Sequence, residues 1–116
     1  MNLTIEKSNL KGTISAPPSK SYAHRFLIAS SLATNESTIS SVDFSDDITA
    51  TLNCIHAYGR LHNRDFKNKK VIFSSSETNN YNPTFDCKES GTTLRIFMPL
   101  ALTKYNKATF IGSERL

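Results

Sequence analysis

Three stretches of the chain repeat apolar or small side chains at steps of three and four residues, which predicts a helix with one packed face in each. The first helix begins after Pro17-Pro18, with Ser19 as its cap, and ends near Asn35. The second begins at Ser45 and ends before Gly59, because glycine suits the left-handed position that follows a helix. We call the residues of each packed face a stripe. The three stripes are Ala23, Phe26, Leu27, Ser30 and Ala33 or Thr34, then Ile48, Thr51, Leu52, Ile55 and Tyr58, and finally Leu94, Phe97, Met98, Ala101 and Leu102.

Short segments beside these helices have the composition or alternation of β-strands. The first two are joined by a turn around Ser8-Asn9, and residues 75–83 are a predicted loop. The order of the elements predicts an α/β or α+β fold in which helices pack on a mixed sheet. The predicted strands are residues 3–5, 12–15, 37–42, 71–74, 84–87 and 108–111.

The composition is that of a soluble globular domain. The chain has 116 residues, of which 38% are hydrophobic and 21% charged, and it has no stretch near the roughly 18 apolar residues of a membrane span. Its first residues lack the basic and apolar regions of a signal peptide, which favours the cytoplasm. Cys54 and Cys87 form no CxxC motif, so we expect reduced packing residues rather than zinc ligands or a disulfide.

A net charge of +4 suits an anionic partner. Nucleic acid is disfavoured, because the cations are scattered and the aromatic residues mostly fall on core positions. The one run of cations, Lys67, Lys69 and Lys70, lies in a polar stretch with Asn63 and Asn68 that is typical of a solvated loop.

The start of the first helix is a candidate anion site. Ser19, Lys20 and Ser21 place hydroxyls and an ammonium beside the free N–H groups of a helix start, which attract phosphate or carboxylate. Arg25 follows one turn later and can share the same anion. The alternative is an ordinary capped surface helix with exposed cations.

The start of the third helix repeats this arrangement. Gly91 allows close approach to the backbone, Thr92 and Thr93 add hydroxyls, and Arg95 follows by one turn. Here the alternative is an ordinary capped helix. Two such starts in one short chain suit a ligand with two anionic ends, which would need them both.

Several other chemistries are not indicated. The chain has neither the GxxxxGK[ST] of a P-loop nor the GxGxxG of a dinucleotide site. His24, His56 and His62 accompany no nucleophile motif, and we expect them to be structural or exposed to solvent.

The residues of these helix starts resemble one family closely. Residues 16–33, with PPSKSxxHRFLIASSLA, are similar to the opening signature of the 5-enolpyruvylshikimate-3-phosphate synthases, the enolpyruvyl transferases that act on shikimate 3-phosphate. Three further blocks resemble the same family in the same order: Ser45-Asp46-Asp47 with Thr51, the segment 90–95, and Phe110-Ile111-Gly112. The match to the related transferases that act on UDP-N-acetylglucosamine is weaker, because their opening block pairs Lys with Asn where this chain has Lys20-Ser21.

The resemblance implies transfer of the enolpyruvyl group from phosphoenolpyruvate to the 5-hydroxyl of shikimate 3-phosphate, with release of phosphate. It also implies which residues form the site. Phosphoenolpyruvate and shikimate 3-phosphate would be the substrates, with no metal or organic cofactor, no nucleic acid and no membrane. Lys20 would be catalytic and lie between the substrates, Ser21 and Arg25 would bind shikimate 3-phosphate, and Gly91 would contact phosphoenolpyruvate. The expected supporting residues are Asp47, Thr92 and Arg95.

The resemblance also implies what lies outside the chain. The family's enzymes are monomers of two lobes built from βαβαββ units, and they are much longer than 116 residues. Residues 1–116 would be an N-terminal portion, inert alone, whose first strands near 1–15 pair with the other lobe. Glu89 departs from the family, since many members have Asn there, and it adds a negative charge near an anion site.

A non-catalytic module that binds a phosphorylated metabolite is the main alternative to an enzyme. It would use the same two helix starts without converting its ligand. A nucleic-acid-binding domain is the third hypothesis, and it predicts a steep dependence of binding on salt concentration.

Overall fold

The computed structural model describes residues 2–116, which form three helices and five strands. The strands lie in two sheets, one antiparallel with the order β1-β3-β2 and one parallel with the order β4-β5. Helices and strands therefore combine as the predicted α/β class requires. The elements are α1 (Lys20–Leu32), β1 (Ser37–Ile39), α2 (Asp46–Ala57), β2 (Arg60–Asp65), β3 (Lys70–Glu77), β4 (Thr84–Asp86), α3 (Gly91–Lys104) and β5 (Thr109–Ile111).

Two of the predicted helix ends follow the chemistry expected of them, and one does so only in part. Ser19 caps α1, and its Oγ accepts a hydrogen bond from the Tyr22 N–H at 3.4 Å. Gly59 follows α2 with a φ of +100°, the left-handed conformation that costs a glycine little. Ser45 occupies the cap position of α2, but its side chain makes no capping hydrogen bond.

The first two predicted strands do not form. Residues 2–19 contain neither helix nor strand, and all of them are exposed. A strand needs a neighbour for its backbone N–H and C=O groups, and no hydrogen bond joins residues 2–18 to the rest of the described chain. The predictions for 3–5 and 12–15 were therefore wrong for this chain.

A polar strand, β2, was missed in the sequence. Its residues Arg60–Asp65 pair with β3, and β3 continues to Glu77 through part of the predicted loop 75–83. Asn63 thus lies in a strand, and only residues 66–69 form the solvated turn. Asn68 closes that turn by donating from its backbone N–H and side chain to the Asp65 carboxylate, at 2.9 and 2.7 Å.

The core lies where the helices meet the two sheets. Helix α2 contacts α1, α3, β2 and β4, and the parallel pair β4 and β5 is connected through α3. Both cysteines are free and buried, as expected of packing residues, and burial raises the pKa of the Cys54 thiol. The buried hydrophobic cluster consists of Leu27, Ile28, Val42, Ile48, Leu52, Cys54, Ile55, Val71, Phe73, Phe85, Cys87, Phe97 and Ala101.

Several predicted stripe residues are exposed instead of packed, and they include both Ala33 and Thr34 just after α1. Phe26 is exposed on α1, where the buried residues are His24, Leu27, Ile28 and Ser31. Met98 and Leu102 are exposed on the outer side of α3. A stripe pattern shows which side chains share a face, but only the neighbouring elements decide which face is covered.

Candidate functional site

The start of α1 offers two free backbone donors. Ser19 accepts from the N–H groups of Tyr22, through its hydroxyl, and of Ala23, through its carbonyl. Within residues 2–116, the N–H groups of Lys20 and Ser21 have no such partner. The side chains of Ser21 and Arg25 are exposed nearby. This helix start can therefore accept an anion, as the sequence predicts.

Lys20 forms an ion pair with the start of the second helix. Its Nζ lies 2.9 Å from Oδ2 of Asp47, the second residue of α2. The two side chains are 56% and 36% exposed, so a ligand can reach the ammonium while the carboxylate holds it. The pair fixes a flexible lysine at one place, although an exposed pair of this kind stabilises the fold by no more than about 1 kcal/mol.

The start of α3 has the same free donors. The Oγ of Ser90 accepts from the Thr93 N–H at 3.3 Å, while the N–H groups of Gly91 and Thr92 have no partner in the part of the chain that the structure describes. No heavy atom would lie within 4 Å of a Cβ built on Gly91. The space beside this glycine is therefore open to a ligand. Thr92 and Arg95 are exposed on the same helix.

One open cleft of about 560 Å³ lies between these helices. Lys20 from α1, Asp47 from α2, and Glu89 just before α3 are among its lining residues. The other predicted site residues, Ser21, Arg25, Gly91, Thr92 and Arg95, are not part of the lining. The fold thus brings the two helix starts to one cleft but leaves both arginines outside it. The complete lining is Lys20, Ser45, Asp46, Asp47, Thr49, Ala50, Asn53, Lys88, Glu89 and Ser113.

The charge of the cleft is less favourable to anions than the net charge of the chain. Its lining carries the ammonium groups of Lys20 and Lys88 against the carboxylates of Asp46, Asp47 and Glu89. Lys88 is moreover paired with Asp86 at 2.6 Å. The lining therefore holds one more negative than positive charge, and a doubly anionic ligand needs further cations.

Five of the lining residues were missed in the sequence, namely Thr49, Ala50, Asn53, Lys88 and Ser113. Asn53 follows Asp46 by seven residues, which places both on one face of α2, and this spacing could have indicated it. Lys88 lies in the short turn before α3 with a φ of +52°. Nothing in the local sequence shows that this turn faces the cleft.

His24 lies behind the ion pair of Lys20 and Asp47, one turn along α1 from Lys20. It is buried, which agrees with a structural rather than a solvent-facing role, and its Nδ1 is 2.7 Å from Oγ1 of Thr51. Burial lowers the pKa of His24, an effect that the nearby Asp47 carboxylate partly opposes. The imidazole is therefore neutral near pH 7.

Residues 2–116 contain neither a membrane-spanning helix nor a cluster of metal ligands. No helix is both long and apolar enough to cross a membrane. No group of three or more His, Cys, Asp and Glu side chains in that range could hold a metal ion.

Comparisons with known proteins all indicate the same family. A family model described as EPSP synthase (3-phosphoshikimate 1-carboxyvinyltransferase) matches residues 5–116. The 3-phosphoshikimate 1-carboxyvinyltransferase of Clostridium perfringens strain SM101 is 43% identical over 115 residues, which cover 97% of this chain and 26% of that protein. The enzyme of the same name from Clostridioides difficile strain 630 is 37% identical over 124 residues, which cover 99% of this chain and 28% of that protein.

The chain thus spans only about a quarter of the length of these curated relatives. The family model, in contrast, covers nearly all of the chain itself. The chain therefore belongs to the EPSP synthase (3-phosphoshikimate 1-carboxyvinyltransferase) family, which confirms the resemblance seen in residues 16–33 and the three later blocks.

Proposed function

We propose that this chain is the N-terminal portion of a longer enzyme that transfers the enolpyruvyl group of phosphoenolpyruvate to the 5-hydroxyl of shikimate 3-phosphate. The observation that carries the proposal is the cleft that Lys20 and the segment before Gly91 share, in a chain of this family. Both substrates are anions, and each helix start has backbone N–H groups free to bind one.

The reaction places clear demands on the site. The 5-hydroxyl oxygen bonds to C2 of phosphoenolpyruvate as the hydroxyl proton leaves and C3 gains a proton. The tetrahedral intermediate then loses C3–H as a proton and the C2–O bond to phosphate, which restores the double bond and releases inorganic phosphate. The protein must therefore hold two anions together and stabilise negative charge on the departing phosphate.

The residues of this chain would provide the anion contacts. Lys20 would lie between the substrates and stabilise charge on the phosphate, held in place by Asp47 at 2.9 Å. Ser21 and Arg25 would hold shikimate 3-phosphate. The N–H of Gly91 would bind phosphoenolpyruvate.

Thr92 and Arg95 would support the start of α3. Both side chains are exposed, and Arg95 makes no ion pair with a described residue. Any such support would therefore come through the ligand or through segments outside this chain. The proposal also makes the complete enzyme a cytoplasmic monomer.

The 116-residue chain alone would be inert. Its cleft lining has two ammonium groups against three carboxylates, which is insufficient for two multiply charged anions. The remaining cations, and the groups that move the two protons, would come from other segments of the enzyme.

The test compares the 116-residue chain with the product of the complete coding sequence. We expect the complete protein to release phosphate only when both substrates are present, and the 116-residue chain to release none. Phosphate release by the short chain would contradict its proposed inertness, and a complete, folded protein without release would contradict the proposed function.

Calorimetric titration separates the alternative, a binding module without catalysis. A complete protein that binds shikimate 3-phosphate and a phosphorylated sugar equally well, without turnover, would favour that module. Selective binding of shikimate 3-phosphate together with turnover would support the enzyme.

A further inference from the structure

Four buried polar side chains form one continuous hydrogen-bonded row that connects all three helices. Nδ1 of His24 on α1 lies 2.7 Å from Oγ1 of Thr51 on α2. That hydroxyl lies 2.7 Å from Oγ1 of Thr93 on α3, which in turn lies 2.7 Å from Oγ of Ser90. None of the four residues is more than 4% exposed, so water cannot replace a missing partner without rearrangement of the core.

The row has a direction, because each hydroxyl has a single hydrogen to donate. The Thr93 hydroxyl donates to Ser90 Oγ, so Thr93 can only accept from Thr51. Thr51 then has no hydrogen left for His24 and must accept from it. His24 therefore carries a hydrogen on Nδ1, and its imidazole is neutral because burial lowers its pKa. The hydrogen of the Ser90 hydroxyl is not used by Thr93.

The row lies directly behind the cleft. His24 follows Lys20 by four residues on α1, and Thr51 follows Asp47 by four residues on α2, so each is one turn below a member of the ion pair. At the other end, Ser90 and Thr93 enclose the first turn of α3, where the N–H groups of Gly91 and Thr92 are free. The four side chains thus join the base of one helix start to the base of the other.

We propose that His24 and Thr51 are positioning residues that fix the start of α3 relative to the start of α1. Lys20 and the Gly91 N–H can then contact the same phosphoenolpyruvate molecule. This inference rests on the proposed function, since it assigns one ligand to both helix starts. Neither residue touches the substrate. Each acts through Ser90 and Thr93, whose places determine where the free N–H groups of α3 point.

Loss of one side chain from this row would remove a hydrogen-bond partner from buried polar groups of the other helices. A valine at position 51 has nearly the shape of threonine, but it removes the acceptor of the His24 N–H and the donor to the Thr93 oxygen, which keeps only its bond to Ser90. Buried groups without partners are costly, and the helices shift until water or other groups can pair with them. A shift of about 1 Å is enough to lower the rate of an oriented reaction by up to about a hundredfold.

The experiment uses the complete enzyme and compares Thr51→Val with Thr51→Ser. We expect Thr51→Val to raise the KM for phosphoenolpyruvate about tenfold or more, and to change the KM for shikimate 3-phosphate less than about twofold. Thr51→Ser keeps the hydroxyl and should stay within about threefold of the parent for both. Thr103→Val is the matched control, because that exposed hydroxyl of α3 donates only to the Leu100 carbonyl of its own helix.

Two outcomes would overturn the inference. One is an equal effect of Thr51→Val and Thr51→Ser, and the other is an equal rise of both KM values in a folded Thr51→Val enzyme. If the parent enzyme shows no turnover with the two substrates, the proposed function itself has failed, so the two failures are distinguishable.

A second pair of variants covers the case in which Thr51→Val does not fold. His24→Asn keeps an N–H donor close to the place of Nδ1, whereas His24→Leu removes it. We expect His24→Asn to retain the KM for phosphoenolpyruvate within about threefold and His24→Leu to raise it about tenfold or more. Nitrogen-15 NMR of the histidine ring supplies an independent readout. A hydrogen on Nδ1 of His24 supports the proposed direction, and a hydrogen on Nε2 alone contradicts it.

Discussion

Gly59 and Gly91 both lie at a helix end, but the surrounding fold requires a glycine only at position 59. An added Cβ at Gly59 would lie 2.5 Å from the carbonyl oxygen of Thr78, and the φ of +100° disfavours any other residue. Gly91 has an empty space where its Cβ would be. The fold therefore explains Gly59 completely, whereas no described neighbour requires a glycine at position 91. A ligand beside the Gly91 N–H would supply that requirement.

Gly91→Ala should weaken the binding of phosphoenolpyruvate more than that of shikimate 3-phosphate. The methyl group would meet no protein atom within 4 Å, so only a ligand can clash with it. Titration of each substrate into the complete protein measures the two affinities. Equal loss of both would count against the assignment of Gly91 to phosphoenolpyruvate.

Gly59→Ala is the control for folding in this experiment. We expect it to lower the free energy of unfolding by about 2 kcal/mol or more, because it combines a left-handed residue with a backbone clash. Gly91→Ala should leave the free energy of unfolding unchanged or slightly higher. Destabilisation by Gly91→Ala would mean that the glycine is structural.

At the scale of elements, β2 shows that a strand can form from mostly polar residues. Its sequence RLHNRD has little of the β-branched and aromatic character that strand prediction relies on. Pairing with β3 on one side and with α2 on one face holds it in place. Arg60, at its start, is 1% exposed, and its guanidinium donates to the Asn35 carbonyl at 2.9 Å and the Ser75 carbonyl at 3.5 Å. One buried arginine thus ties β2 to β3 and to the turn after α1.

Arg60→Met should destabilise the protein by about 3 kcal/mol, because it leaves two carbonyl groups without their donor and removes buried packing. Arg64→Met on the same strand is the control, since its guanidinium bonds only to two side chains, Asn53 at 2.6 Å and His62 at 3.2 Å, and to no carbonyl group of the backbone. We expect a loss below about 1 kcal/mol for Arg64→Met. Urea unfolding of the complete protein measures both, and similar losses for the two variants would contradict a special role for Arg60.

At the scale of the whole molecule, the chain is more extended than its length requires. Its radius of gyration is 17.3 Å, whereas a compact chain of this length has a radius of about 13 Å. Residues 2–19 are all exposed, and no hydrogen bond joins residues 2–18 to the rest of the described chain. Leu3, Ile5, Leu10 and Ile14 are each at least 75% exposed there, and such apolar side chains suit a covered position.

Removal of residues 1–15 tests the proposed place of this segment. In the 116-residue chain we expect the unfolding temperature to change by less than about 2 °C, because residues 2–15 are all exposed and Ser19 still caps α1. In the complete enzyme the same deletion should lower the unfolding temperature clearly, if the first strands pair with another lobe. Equal behaviour of the two proteins under thermal denaturation would contradict that pairing.

Local chemistry along the sequence was sufficient to predict several features of this chain. The cap at Ser19, the left-handed Gly59, the three helices and the family all follow from short patterns, because each depends on residues within one or two turns. The candidate anion sites at Lys20 and Gly91 belong to the same class, since a free helix N–H group is a local property.

Tertiary structure alone decided the remaining features. The polar strand β2 depends on its pairing with the neighbouring β3 and on its contact with α2. The lack of hydrogen-bond partners for residues 2–18 and the exposed side of α3 depend on segments that are distant in sequence. The same holds for the negative lining of the cleft and for the row from His24 through Thr51 to Thr93. Burial and pairing between remote residues arise only when the helices are packed together, and a local pattern contains no record of that packing.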